Sequence, residues 1–277
     1  MVSAYRPTSF AEALRIRQES QAIPLAGGTD LMVSHRRYPG LAPQFARPVL
    51  FLGGLPELGG ITVVGATLTV GAGVTLSGLL AHEAVPDVLK QAVAEMSSPA
   101  IRNVATLGGN ICNASPAGDT LPALYCLNAV LTLACAGGER QLGIEEFILG
   151  PGKTALRDNE LLRAVSLSLE RFDVACYRKV GTRKANALSK LSFLGLARTG
   201  EGRIEDVRIA FGAVAPTVVR SKELEREIVG RNRAELGEIR TRVLDGYARL
   251  IVPIDDQRST AEYRKVVSLR LLGHFLK

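Results

Sequence analysis

The 277-residue chain has no tryptophan and only three histidines, His35, His82 and His274, which stand far apart. That isolation gives a Ser-His-Asp triad no neighbouring partners to recognise and a metal no imidazole cluster. Cysteine is nearly as sparse. Cys112, Cys126, Cys135 and Cys176 form no C-x-x-C pair, so neither a zinc site nor an iron-sulfur ligand run is spelled out. They read as ordinary buried thiols, and no metal is expected on this chain. Long apolar runs are missing too: the longest, Leu121 to Ala136, is broken by Asn128 and falls short of the roughly 18 residues of a membrane span. It reads as a buried helix followed by a strand. The opening Met1-Val2-Ser3-Ala4-Tyr5-Arg6-Pro7 lacks the charged-then-apolar layout of a secretory leader, so a cytoplasmic location is expected.

What is present in excess is positive charge, +7 at neutral pH. A basic surface recruits phosphate backbones. Here, however, Lys and Arg are dispersed and no helix-turn-helix or zinc-finger pattern occurs, so no nucleic-acid partner is expected. The densest basic stretch, Arg178-Lys179, Arg183-Lys184 and Lys190, suits a solvated face or an anionic cofactor or partner.

With 47% hydrophobic residues the chain can bury one large core or two modest ones, and two or three compact domains are expected. Ser9-Phe10-Ala11-Glu12 and Ser259-Thr260-Ala261-Glu262 fit capping boxes that start helices. Ile61 to Val70 alternates around Gly65-Ala66 as a hairpin does, and helices are expected near Leu76 to His82 and Pro86 to Met96. Thr106 to Thr120 reads as a long loop, which in a compact domain is usually functional. A helix at Leu121 to Leu127 and strands near Val130 to Cys135 and Leu161 to Leu169 follow. The character changes at Arg171-Phe172-Asp173. Beyond it come strands near Ala175 to Val180, Ser189 to Ala197 and Val207 to Val214, then helices: an α+β layer.

Two glycine pairs carry the chemistry, Gly27-Gly28 and Gly108-Gly109, each followed by a small polar residue. A glycine turn lets backbone N–H groups face an oxyanion with no side chain in the way, and two such turns can cradle a pyrophosphate. Thr29, Thr106 and Ser115 can add hydroxyl donors, while Asp30 or Asp119 can accept from ribose or ribityl hydroxyls. Simpler phosphate motifs fail on spacing. After Gly71 and Gly73, Leu76 stands where a dinucleotide fingerprint needs its third glycine, and Phe147 replaces the first glycine of a Walker loop ending Gly152-Lys153-Thr154. That last segment reads as a turn.

The run Leu25-Ala26-Gly27-Gly28-Thr29-Asp30-Leu31-Met32 resembles the first FAD-phosphate loop of the flavin-binding medium subunit of molybdenum hydroxylases, of the xanthine or carbon monoxide dehydrogenase kind. Arg102-Asn103-Val104-Ala105-Thr106-Leu107-Gly108-Gly109-Asn110, continuing through Asn113-Ala114-Ser115-Pro116-Ala117-Gly118-Asp119, resembles its second, in the same order. Tyr177-Arg178-Lys179-Val180-Gly181-Thr182-Arg183 and Asp255-Asp256-Gln257-Arg258 with Tyr263-Arg264 extend the likeness over essentially the whole chain. The resemblance implies a vanillyl-alcohol-oxidase (PCMH)-type FAD-binding domain in two subdomains, 1–55 and 56–171, and a C-terminal sheet-plus-helices domain, 172–277. It further implies that Ala26 to Leu31 and Thr106 to Asn110 hold the pyrophosphate, that Asp119 holds sugar or ribityl hydroxyls, that Leu162 packs near the flavin ring, and that Lys179 approaches its pyrimidine edge.

The chain contains neither a molybdopterin domain nor an iron-sulfur domain, so the resemblance implies a molybdopterin-binding large subunit and an iron-sulfur small subunit as partners. FAD would then pass electrons to an acceptor such as NAD or dioxygen. The alternatives are a stand-alone FAD-dependent oxidase or reductase of the same fold, for which the isolated histidines offer no acid or base, and a non-catalytic nucleotide-binding module, against which the double loop argues.

Overall fold

The computed structural model describes residues 2–183 and 186–277. Met1, read above with the leader pattern, and Lys184, counted in the basic stretch, lie outside the described residues. The chain packs as two compact units that its path enters more than once: the first comprises 1–85, 97–114 and 129–168, the second 86–96, 115–128 and 169–277.

The first unit opens with a small parallel sheet in the order Ala4–Tyr5, Val49–Phe51, Ile23–Leu25. Helix Phe10–Ser20 buries Phe10, Ala13, Leu14 and Ile16, and its Ser9 cap accepts from the Glu12 amide at 3.2 Å. Half of the expected capping box differs. The Glu12 carboxylate reaches back past Ser9 to the Thr8 amide at 2.7 Å and also accepts from the Thr8 hydroxyl. A five-stranded antiparallel sheet follows, ordered Ile61–Val64, Thr67–Gly71, Leu161–Ser168, Val130–Cys135, Gly138–Gly143, and the Gly65-Ala66 hairpin is present. Residues 148–154 pair as a short two-stranded ladder where the sequence suggested only a turn.

The 106–120 segment is not one long loop. Residues Leu107–Asn113 form a helix capped by Thr106, whose hydroxyl accepts from the Gly109 amide at 3.0 Å. Two glycines argue against a helix by propensity. The burial of Leu107 and Ile111 and the side-chain cap outweigh them.

In the second unit an antiparallel meander, Val174–Val180, Leu191–Gly200, Arg203–Gly212 and Val219–Arg220, forms a four-stranded sheet. Helices Lys222–Ile228, Arg233–Leu250 and Ala261–Phe275 supply Ile228, Val243, Tyr247 and Leu272 to a core with Leu191, Phe193, Ile209 and Phe211. Phe211 packs against Phe193 at 5.1 Å and Tyr247 at 5.5 Å between ring centres. Helix Leu121–Cys126 lies on the opposite face, where a Cβ on Gly212 would stand 3.0 Å from Pro122. Helix Asp87–Ala94 packs against strand Val174–Val180. The last helix starts one residue later than its expected box. Thr260 is the cap and accepts from the Tyr263 amide, since Ser259 is held in a turn with Asp256. Among the described residues no helix is long and apolar enough to cross a membrane.

Candidate functional site

The first unit brings the two glycine loops together. Strand Ile23–Leu25 ends at Ala26, and Gly27 then lies so close to the other loop that a Cβ on it would sit 1.9 Å from the Val104 carbonyl oxygen and 2.9 Å from the Ala105 Cα. No side chain fits there. Gly28 adopts φ +68°, a left-handed turn that glycine enters without strain, and it redirects the chain into the one-turn helix Leu31–Ser34. Among the described residues the amides of Gly27, Gly28, Thr29 and Asp30 have no hydrogen-bond acceptor. The Asp30 side chain is exposed and makes no cap bond to this short helix.

The second loop is built the other way. The Leu107 amide donates to the Val74 carbonyl at 3.0 Å, the Gly108 amide to Ala72 at 2.9 Å and the Asn110 amide to Thr106 at 3.0 Å. A Cβ on Gly108 would meet the Ala72 Cβ and carbonyl oxygen at 2.7 Å, so this glycine is required by close packing against the neighbouring segment. Gly109 is exposed, and its amide is engaged by Thr106. Leu162, in the central sheet opposite Leu133, is 5% exposed.

Within the second unit Ser115 caps its own turn, accepting from the Ala117 amide at 3.3 Å. Asp119 and Lys179 form a buried ion pair at 2.7 Å, with side chains 8% and 5% exposed. Lys179 also donates to the Glu95 carbonyl at the end of helix Asp87–Ala94 at 2.8 Å, and Ser189 donates to the other oxygen of Asp119. Taking both charges out of water is costly, and only further hydrogen bonds make such a pair tolerable. Here each partner has one. Burial pushes the Asp119 carboxyl above its ordinary range, while Lys179 and Ser189 pull it back. Burial likewise raises the Glu95 carboxyl and the Tyr177 phenol, the latter reinforced by the charges of Asp119 and Glu95. Tyr177 is 3% exposed, and its hydroxyl has no hydrogen-bond partner.

Sequence reading had singled out Asp119 and Lys179 but not Glu95, Tyr177 or Ser189. Tyr177 had a legible signal, since it is two residues from Lys179 on one strand and so shares its face. Ser189 had none: it lies 70 residues from Asp119 and meets it only through the fold. Among the described residues no three His, Cys, Asp or Glu side chains converge on a point that could hold a metal.

Residues 1–168 match the family model described as the FAD binding domain in molybdopterin dehydrogenase, and residues 175–277 match that of the CO dehydrogenase flavoprotein C-terminal domain. A putative xanthine dehydrogenase FAD-binding subunit of Escherichia coli is 29% identical over 235 residues, covering 81% of this chain and 78% of the relative. The glyceraldehyde dehydrogenase medium chain of Sulfolobus acidocaldarius is 27% identical, covering 96% and 93%. A chain of the carbon monoxide dehydrogenase structure from Hydrogenophaga pseudoflava superposes with a TM-score of 0.89 at 24% identity, over 99% of this chain and 95% of that one.

Proposed function

Because this chain belongs to the family of FAD binding domains in molybdopterin dehydrogenases, carrying the C-terminal domain of CO dehydrogenase flavoproteins, we propose that it relays electrons from a partner's iron-sulfur clusters to an acceptor. It is a flavoprotein oxidoreductase subunit of the molybdenum hydroxylase family with FAD as its cofactor. The partners in this reading are a molybdopterin-binding large subunit and an iron-sulfur small subunit, and the acceptor is NAD or dioxygen. The relatives' names, FAD-binding subunit and medium chain, support a role as one component of a larger assembly.

The observation that carries the reading is the seat of Gly27 on Val104 and Ala105, beside a row of amides from Gly27 to Asp30 that meet no internal acceptor. Such a row fits an anion. In this proposal Ala26, Gly27, Gly28, Thr29, Asp30 and Leu31 hold the pyrophosphate by their backbone. Thr106, Gly108, Gly109 and Asn110 contribute chiefly by shaping the wall, because the four amides from Leu107 to Asn110 are engaged by Val74, Ala72 and Thr106. Leu162 provides an apolar contact for the ring.

Asp119 and Lys179 are assigned the polar edge of the cofactor. An ammonium has three donors. Two of those of Lys179 are engaged, leaving one to point at an electron-rich oxygen, and the partnerless hydroxyl of Tyr177 is a further buried group that fits a polar ligand. When bound, the flavin supplies two-electron chemistry that can also be entered one electron at a time.

The test is purification of the full chain without partners, followed by identification of the released cofactor and assay of hydroxylation. FAD at about one per chain, with no hydroxylation of a purine or aldehyde, is expected. FMN, or apo protein that cannot be reconstituted with FAD, would defeat the reading. Efficient hydroxylation by the chain alone would favour a stand-alone enzyme instead.

A further inference from the structure

We propose that Ser189 is a positioning residue for the charged pair Asp119–Lys179, and through it for the cation that this chain offers to its flavin. The inference rests on the assignment of Lys179 to the flavin edge made above. Ser189 is 1% exposed and stands two residues before strand Leu191–Gly200, while Asp119 lies on the segment leading into helix Leu121–Cys126. The serine hydroxyl donates to one carboxylate oxygen, and Lys179 occupies the other at 2.7 Å.

A carboxylate held at both oxygens cannot rotate, so the serine fixes the oxygen toward which Lys179 is drawn, while the Glu95 carbonyl fixes its second contact. Losing that donor has a second effect. A hydrogen bond to a charged group stabilises it by about 1.5–3 kcal/mol, so the buried carboxyl of a serine-free variant binds its proton at least about 10-fold more tightly. The pair then becomes a lone ammonium at a higher pH than in the unmutated chain.

The groups facing Asp119 are few enough to make this readable. Strand Val174–Val180 presents Lys179 and Tyr177, and the end of helix Asp87–Ala94 presents Glu95, itself facing Lys179 and Arg178. Tyr177 keeps its proton throughout the neutral range because burial raises it. Among the described residues facing this pair, Glu95 is the other carboxyl coupled to Asp119, and Glu95→Gln removes it from the measurement.

The experiment has two arms on the full-length chain in the Glu95→Gln background. In the first, the FAD-free chain labelled with 13C at aspartate carboxyls is titrated by NMR as Ser189, Ser189→Ala, Ser189→Cys and Ser189→Thr. In the second, the flavin midpoint potential of the FAD-loaded forms is followed against pH.

For Ser189→Ala the Asp119 titration is expected to move up by about one pH unit, a tenfold change in proton affinity. Ser189→Cys, a weaker donor of similar volume, should lie between, and Ser189→Thr should return the curve to its starting place. The break in the potential curve should move in parallel and vanish in Asp119→Asn. An Asp119 titration unmoved in both Ser189→Ala and Ser189→Cys overturns the proposal. A moved titration with an unmoved potential curve overturns it as well, since the serine would then serve the fold alone. Failure of the unmutated chain to bind FAD defeats the functional reading and with it the flavin role of Ser189, and the FAD-free arm tells that outcome apart.

Discussion

Replacing Gly27 with alanine adds one methyl group at the point where the first glycine loop touches the second. Built on the backbone as it stands, that methyl lies 1.9 Å from the Val104 oxygen, 2.6 Å from its carbonyl carbon and 2.9 Å from the Ala105 Cα. An ordinary carbon-to-oxygen contact is about 3.3 Å, so the two segments must part by about 1.4 Å. Neither has a flexible side chain there to yield. Overpacking of this kind costs about 1–3 kcal/mol and more when only backbone can move. Taking about 3 kcal/mol, and charging it to the state in which both loops close on the pyrophosphate, FAD binding weakens about 100-fold.

Gly28→Ala provides the contrast. Its methyl presses on the Met32 side chain at 3.1 Å, which can rotate away, and touches Leu25 at an ordinary 3.5 Å, so what remains is the strain of φ +68°. That strain is about 1–2 kcal/mol, or about tenfold in affinity. The assay is quenching of flavin fluorescence on titration with each variant, alongside thermal unfolding of the FAD-free proteins to confirm that both fold. A dissociation constant for Gly27→Ala within threefold of the unmutated chain would refute the argument. So would a larger loss for Gly28→Ala than for Gly27→Ala.

Two further outcomes follow from buried charge in the second unit. Arg220 and Glu225 pair at 2.9 Å with side chains 5% and 7% exposed, and Glu225 also accepts from the Ile209 amide. Arg220→Met should therefore cost about 3–5 kcal/mol by stranding the carboxylate and lower the melting temperature by about 10 °C. The double variant Arg220→Met with Glu225→Leu should recover much of that loss, and equal melting of single and double variants would contradict it. Asp256 accepts from Arg258 at 2.6 Å and Arg264 at 2.5 Å. Burial raises its carboxyl, but these hydrogen bonds outweigh it and hold the group well below the usual carboxylate range. A depressed acid contributes stability above its unfolded value, near pH 4, and loses it as pH falls toward the folded one. Asp256→Asn should thus lower denaturant stability at pH 7 and by progressively less below about pH 4; a gap that stays constant from pH 7 to pH 3 would exclude the ion pair as its source.

Local pattern accounts for much of what could be read without coordinates. The hairpin at Gly65-Ala66, the helices 76–81 and 121–126 and the strands 130–135 and 161–168 are set by alternation, capping and glycine placement, which act within a few residues and so are written in order along the chain. The Thr106 helix escaped because propensity counts Gly108 and Gly109 against it, while the force that decides, the approach of Gly108 to Ala72 with Leu107 and Ile111 buried, comes from a segment more than 30 residues away. The same division runs through the site. Sequence alone singled out the residues to which the chemistry is assigned here: two glycine pairs and Asp119, with Lys179 through the resemblance. Tertiary structure decided what each can do. Gly27 is bare because Val104 needs its space, and Gly108 because Ala72 does. The amides of 27–30 are open and those of 107–110 are engaged, and Asp119 is held by Lys179 and by a serine 70 residues further on. Contact distance, burial and hydrogen-bond partnership are properties of pairs of residues brought together by folding, and no run of neighbours in a chain encodes them.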